Sequence, residues 1–199
     1  MNKISIIGAS GHAKVIIDIA EILGYCIEKV FDQDDKKNNI LNYSVCHSFV
    51  NIPKESVIAI GNNKIRKEIA SSSYLESPVL VHPFSSVSKY SEIGLGTVVM
   101  SGVSINAGAR IGKHCIINTN SSIDHDCVIN DFVHISPNAS LAGDVSIGEG
   151  THIGIGACII QGVKIGRNCV VGAGAVVIRD VLDGLIVVGN PAKEIIKNK

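Results

Sequence analysis

The 199-residue chain has no tryptophan, and aromatic residues make up only 4% of it. A core centred on large rings is therefore excluded, so the buried volume must come from small and β-branched side chains of the kind that suit many short strands. Charge is sparse as well: 18 Lys and Arg balance 18 Asp and Glu, for a formal net charge of zero. Without a basic excess the chain lacks the electrostatic footprint of a nucleic-acid protein, and without an acidic run it lacks a disordered acidic tail. Hydrophobic residues reach 46%, yet no stretch approaches the ~18 uninterrupted apolar residues of a spanning helix. The opening MNKISIIGASGH turns to glycine after a few apolar residues. It reads as a strand and turn, not a secretory leader, and the expectation is a cytoplasmic protein with no membrane insertion. Six cysteines are present but no C-x-x-C pair. In a reducing compartment that pattern supports neither a disulfide nor a zinc framework.

What the chain has in quantity is repetition. From Val81 to Val177 every sixth residue is Ile, Val or Leu, seventeen in succession. Four places later in each hexad the residue is mostly small, as at Ala109, Cys115, Ser121, Cys127, Ala139 and Ala157. Glycine often follows the aliphatic position, as in Ile93-Gly94 and Ile147-Gly148. This is the signature of a β-solenoid, in which one aliphatic side chain per hexad points inward and stacks on its copy in the next coil. The glycines are expected to supply backbone freedom at the turns.

Residues 1–78 do not follow the repeat. Lys3–Ile7, Ile27–Phe31 and Ser56–Ile60 read as strands, and Ala13–Leu23 and Lys64–Ser71 as helices, with Gly24 stopping the first. Strand and helix alternate, which predicts a small parallel, Rossmann-like α/β domain with its ligand edge at the strand C-termini. The expected division is 1–78 for this domain and 79–199 for the solenoid, with a strand and turn at Val187–Lys193 and a charged tail beyond.

Gly8-x-x-Gly11 lies between the first strand and first helix, where glycines and helix N–H groups suit a phosphate. The third glycine of a dinucleotide fingerprint is missing, which argues against NAD. Asp32 ends the second strand and Gly61-Asn62-Asn63 the third, so three strand ends converge on a candidate mononucleotide pocket; a plain turn remains the alternative for the G-x-x-G alone. Among seven histidines, His114 is expected to be exposed and His82 structural. His125 sits in Asp124-His125-Asp126. A carboxylate orients an imidazole and raises its basicity, as a general base requires, and a solvated polar turn is the competing reading. If that segment is a strand, side chains alternate across it, so at most one of Asp124 and Asp126 can easily share a face with His125; Asp126 is the expected partner. His134 and His152 are eighteen residues apart, which stacks them on successive coils if a coil is eighteen residues. The wide His125-x8-His134 spacing does not suit a metal.

These segments resemble the hexapeptide-repeat sugar acetyltransferases of the PglD/NeuD family. The carriers are Gly8-Ala9-Ser10-Gly11-His12, Ala59 to Lys67, Asn118 to Asp126, and Val188-Gly189-Asn190-Pro191-Ala192-Lys193. The resemblance implies a left-handed β-helix with three hexads per coil, hence five to six coils, working as a cytoplasmic homotrimer. It implies a UDP-sugar held by Ser10, Gly11, His12, Asp32, Gly61 and Asn62, and acetyl-CoA held by His134, Ile155, Ala173 and Gly174. His125 would be the base, with Asp126 as its carboxylate; the family's bacillosamine branch has Glu at the flanking positions. The implied reaction is acetyl transfer to the 4-amino group of a UDP-linked 4-amino-4,6-dideoxy-sugar, without a metal. A sialic acid O-acetyltransferase and a non-catalytic nucleotide-sugar-binding trimer are the alternatives.

Overall fold

The computed structural model describes residues 2–195, so residues 196–199 of the expected charged tail lie outside the described residues. The first part is a five-stranded sheet of order β3-β4-β2-β1-β5. Its strands are β1 (Lys3–Ile7), β2 (Cys26–Phe31), β3 (Asn39–Ile40), β4 (Tyr43–Cys46) and β5 (Ser56–Ile58). β1 is central, pairs in parallel with β2 and β5, and is buried from Ile4 to Ile7. Burial on both faces explains its continuous apolar run. Helix α1 (Gly11–Ile22) buries Ala13, Ile16, Ile17, Ile19 and Ala20. It ends where Gly24 adopts φ +80°, with its N–H donating to Glu21 O. Helix α2 spans Asn63–Ser72. The β3–β4 hairpin was not anticipated: its two short strands pair Asn39 with Ser44 and Ile40 with Tyr43, too few residues for an alternating apolar pattern.

From Leu80 to Val177, two-residue strands form three parallel sheets, and Ile186–Val188 extends the first of them before Lys193–Glu194 pairs with it antiparallel. Face 1 carries Val98–Val99, Ile116–Ile117, His134–Ile135 and His152–Ile153. Face 2 carries Ser104–Ile105, Ser122–Ile123, Ser140–Leu141 and Cys158–Ile159. Face 3 carries Arg110–Ile111, Val128–Ile129, Ser146–Ile147 and Lys164–Ile165. The chain visits the faces in that order, and partners in register are eighteen residues apart, as in Ile105↔Ile123↔Leu141. Face 2 has six strands, matching five to six coils. The second residue of each strand points inward, and Ile117, Ile135, Ile147 and Ile153 are 0% exposed. Each such aliphatic side chain contributes roughly 1.5–3 kcal/mol of burial. Cys115, Cys127 and Cys169 fill small-residue positions of the same core.

The glycine expectation needs correction. Glycines that follow the aliphatic residue do not serve turn conformation; they let successive coils approach. A Cβ on Gly148 would lie 2.4 Å from the Gly166 carbonyl carbon, and one on Gly94 2.6 Å from that of Gly112. The left-handed residue is two places further on, at 96, 102, 108 and every sixth position to 174. Gly, Asn or Asp fills that position except at His114 (φ 51°) and Phe132 (φ 58°), and a bulky residue there costs on the order of 1 kcal/mol.

Face 1 is where the two parts meet. Leu80, Val98, Met100 and Ile116 share a hydrophobic cluster with Ala13, Ile16 and Ile17 of α1. Among the described residues no helix is long and apolar enough to cross a membrane.

Candidate active site

The candidate nucleotide pocket of the sequence corresponds in place to a cavity of about 490 Å³ at the C-terminal ends of β1, β2 and β5, whose lining includes Gly8, Phe31, Asp32, Phe49, Ile60 and Ile69. Gly8 has φ +115°, and a Cβ there would lie 2.8 Å from Ala59 O, so only glycine lets the β1 turn close against β5. Asp32 is spent largely on holding this turn. Its Oδ2 accepts from Ala9 N–H at 2.7 Å and from Lys37 Nζ at 3.0 Å, and its Oδ1 accepts from Asp34 N–H at 2.9 Å. Burial alone would raise this carboxyl, but the hydrogen bonds from Asp34, Lys37 and Ala9 outweigh it and hold it below the usual range. Three of about four acceptor positions are thus taken. Lys37, unnoticed in the sequence, also donates to Ser10 Oγ at 2.9 Å, which puts a cation beside the start of α1. Asn62 caps α2, its Oδ1 accepting from Ile65 N–H at 3.1 Å.

His12 stands in the first turn of α1, half-buried, and among the described residues its buried Nε2 has no hydrogen-bond partner. Burial, then the Arg66 charge, pull its pKa down to about 4. His134 lies on face 1 with its ring 4.7 Å from that of His152. Its Nε2 lies 3.1 Å from Asn118 Nδ2, and its buried Nδ1 has no hydrogen-bond partner among the described residues. Burial first, then His152, Arg66 and His12, bring its pKa down to about 3. His134 and His152 do stack as the eighteen-residue spacing predicts, but half-buried at the junction instead of on an open outer face. His114 is also half-buried, not exposed as expected, with its ring stacked on Phe132 at 5.5 Å.

His125 and Asp126 occupy a turn, not a strand, so the strand-alternation argument does not apply. Asp126 takes φ 59°, which brings its Oδ2 within 2.9 Å of His125 Nδ1. Asp124 is engaged elsewhere: its Oδ1 accepts from His125 N–H at 2.7 Å and from Asn106 Nδ2 at 2.7 Å. The Asp126 hydrogen bond, then the Asp124 charge, raise the His125 pKa above its ordinary value. The ring lies over Gly143 of the next coil, where a Cβ would sit 2.5 Å from both Cε1 and Nε2. The eighteen-residue offset from 125 to 143 carried this signal in the sequence.

The geometry divides these residues into two groups. His12, Gly61 and His134 gather where the first part meets face 1, and Ile155 with Ala173 and Gly174 forms the adjoining corner between faces 1 and 2, Gly174 N–H donating to Ile155 O at 2.8 Å. His125 and Asp126 sit at the corner between faces 2 and 3. In a three-sided prism that corner is opposite face 1. One chain therefore holds its imidazole–carboxylate pair on the far side from its own cavity at the strand ends of the first part.

Residues 3–73 match the PglD N-terminal domain, and residues 144–179 match the bacterial transferase hexapeptide family of six repeats. The acetyltransferase domain of PglB from Neisseria gonorrhoeae is 37% identical with a TM-score of 0.91, covering 98% of this chain and 100% of that one. PerB from Caulobacter crescentus, solved with CoA and GDP-perosamine, is 36% identical with a TM-score of 0.93, covering 98% of each chain. WeeI from Acinetobacter baumannii is 27% identical with a TM-score of 0.89, covering 98% of this chain and 100% of that one. The solenoid is accordingly the left-handed hexapeptide β-helix, and the chain belongs to the hexapeptide-repeat sugar acetyltransferases of the PglD/NeuD family.

Proposed function

We propose that the protein transfers acetyl from acetyl-CoA to the 4-amino group of a nucleotide-linked 4-amino-4,6-dideoxy-sugar, with His125 as general base, in a homotrimer whose sites are shared between subunits. UDP is the nucleotide we assign, in line with the bacillosamine branch; the relative PerB was solved with GDP-perosamine, so both nucleotides enter the test. The observation that carries the reading is the His125–Asp126 pair, an imidazole with Nδ1 tied to a carboxylate and its ring otherwise open to solvent.

The amine nitrogen attacks the thioester carbonyl carbon, forming the C–N bond as the C–S bond breaks. His125 Nε2 takes the proton shed by the amine, and Asp126 stabilises the imidazolium through Nδ1–H. Coenzyme A leaves as thiolate and is reprotonated. No enzyme nucleophile is required, because bringing both substrates together supplies much of the acceleration. The buried Cys115 thiol, which burial pushes up to about 12, is no candidate for one. Gly11 and Ser10 at the α1 N-terminus, with Lys37 beside them, suit the diphosphate. His134, Ile155, Ala173 and Gly174 line the edge along which we run acetyl-CoA. Because this edge adjoins face 1 while His125 lies opposite it, a neighbouring subunit's His125 completes each site.

The test is thiol release from acetyl-CoA with UDP- and GDP-linked 4-amino-sugars and with sialic acid. Turnover with a nucleotide amino-sugar and none with sialic acid is expected. Turnover with sialic acid alone would replace N- by O-acetylation, and no turnover with tight sugar-nucleotide binding would leave a scaffold.

A further inference from the structure

Among the described residues Arg66 is the largest fully buried side chain, 1% exposed, and it forms no ion pair. A buried cation without a counter-ion is costly, and an apolar residue would join two surfaces more cheaply. All five of its N–H groups are instead spent on oxygen atoms. Nε donates to His114 O at 2.8 Å; Nη1 donates to Ile60 O at 2.9 Å and Gly61 O at 3.2 Å; Nη2 donates to Asn63 Oδ1 at 2.8 Å and Phe132 O at 2.9 Å. Asn63 Nδ2 in turn donates to Gly150 O at 2.9 Å and Thr151 O at 3.1 Å.

These acceptors have a pattern. Residues 114, 132 and 150 occupy the same left-handed corner on three successive coils. His114 and Phe132 are the two bulky residues in a position otherwise given to Gly, Asn or Asp, and theirs are the two carbonyls that the guanidinium binds. On its other side the fork holds the Ile60–Gly61 loop, and Ile60 lines the nucleotide-type cavity. The fork thus fixes the spacing between that loop and face 1, where His12 Nε2 and His134 Nδ1 stand buried and unpartnered.

We propose that Arg66 is a positioning residue, a five-bond clamp that fixes the nucleotide loop against the coil and so sets where the sugar amine meets acetyl-CoA. The clamp's catalytic consequence rests on the functional reading above. Lysine retains the charge but has three donors on one atom and cannot span loop and corners together.

The test uses the full-length protein with Arg66→Lys. The expected result is a kcat roughly 100-fold lower, with the Kd for UDP or GDP and the KM for acetyl-CoA within about threefold of wild type. Amide hydrogen exchange should accelerate at residues 60–66, 113–115 and 131–133 and stay unchanged at Ile147 and Ile153. Exchange reads the clamp without turnover, so an enzyme inactive on every amino-sugar would sink the functional reading while the clamp stayed measurable. Should Arg66→Lys fail to fold, Asn63→Ala retains the guanidinium but removes one of its acceptors and two corner bonds, and a roughly 10-fold loss of kcat with unchanged nucleotide binding is expected. Wild-type kcat in the folded variant overturns the proposal. So does a loss of nucleotide binding equal to the loss of kcat, which would make Arg66 a support of the pocket alone.

Discussion

Replacing Gly143 by alanine tests whether the placement of the His125 ring matters to catalysis. The new Cβ would lie 2.5 Å from Cε1 and Nε2 of His125, about 1 Å inside ordinary contact. Gly143 does not sit in the left-handed region, so its backbone accepts a side chain without strain of its own. The three nearest atoms all belong to the ring, and the ring can escape because the His125 side chain is 61% exposed. Its escape breaks the 2.9 Å bond to Asp126. A 1 Å misplacement of a reacting group costs about 100-fold, and a general base is worth roughly 10²–10⁴-fold in total. Gly143→Ala should therefore lower kcat about 100-fold, leave both KM values within about threefold, and shift Tm by no more than about 2 °C. The assay is thiol release from acetyl-CoA at saturating acceptor, beside a thermal melt. A folded variant with near wild-type kcat would refute the reasoning, as would a loss larger than that of His125→Ala.

Asp126→Asn should move the acid limb of the kcat/KM profile to lower pH: the base acts when neutral, Asp126 raises its pKa, and removing the carboxylate lowers it again. The protein should weaken in mild acid. The folded-state pKa values of His12 (about 4) and His134 (about 3) lie below the ordinary histidine value of 6.5, so the unfolded chain binds more protons between pH 6.5 and 4 and stability falls as pH drops through that window. His12 alone corresponds to on the order of 3 kcal/mol, and the urea midpoint should drop between pH 7 and 5 and drop less in His12→Gln. Gly148→Ala, which forces a Cβ against fixed backbone of the next coil, should cost roughly 1–3 kcal/mol in denaturant unfolding without altering the kcat of the folded fraction.

The solenoid was legible because its period repeats at every sixth position, and each inward Ile, Val or Leu obeys one steric rule. The eighteen-residue coil made the His134–His152 stack readable, although not its burial, since α1 and α2 come from outside the repeat. The β3–β4 hairpin was not legible: four paired residues give too little pattern. His125 with Asp126 was visible as a local triplet, but the turn that joins them depends on a left-handed residue that strand alternation hides. Arg66 and Lys37 were invisible for another reason. A buried fork and a loop cation are defined by carbonyls and carboxylates far away in sequence, such as Phe132 O for Arg66.

The central claim is that each site joins one chain's nucleotide pocket to another chain's His125, in a trimer of a 21.0 kDa chain. The direct measurement mixes two inactive variants. One is His125→Ala; the other is Gly11→Asp, whose Cβ would meet nothing within 4 Å and whose carboxylate adds a negative charge where the diphosphate should bind. After unfolding and joint refolding in equal amounts, random trimers place an intact pocket beside an intact His125 at about one quarter of the sites. The refolded mixture, its mixed trimers verified by native mass spectrometry, should recover about a quarter of wild-type activity, which corresponds to about one working site in three within each mixed trimer. Mixed trimers no more active than either parent would contradict it.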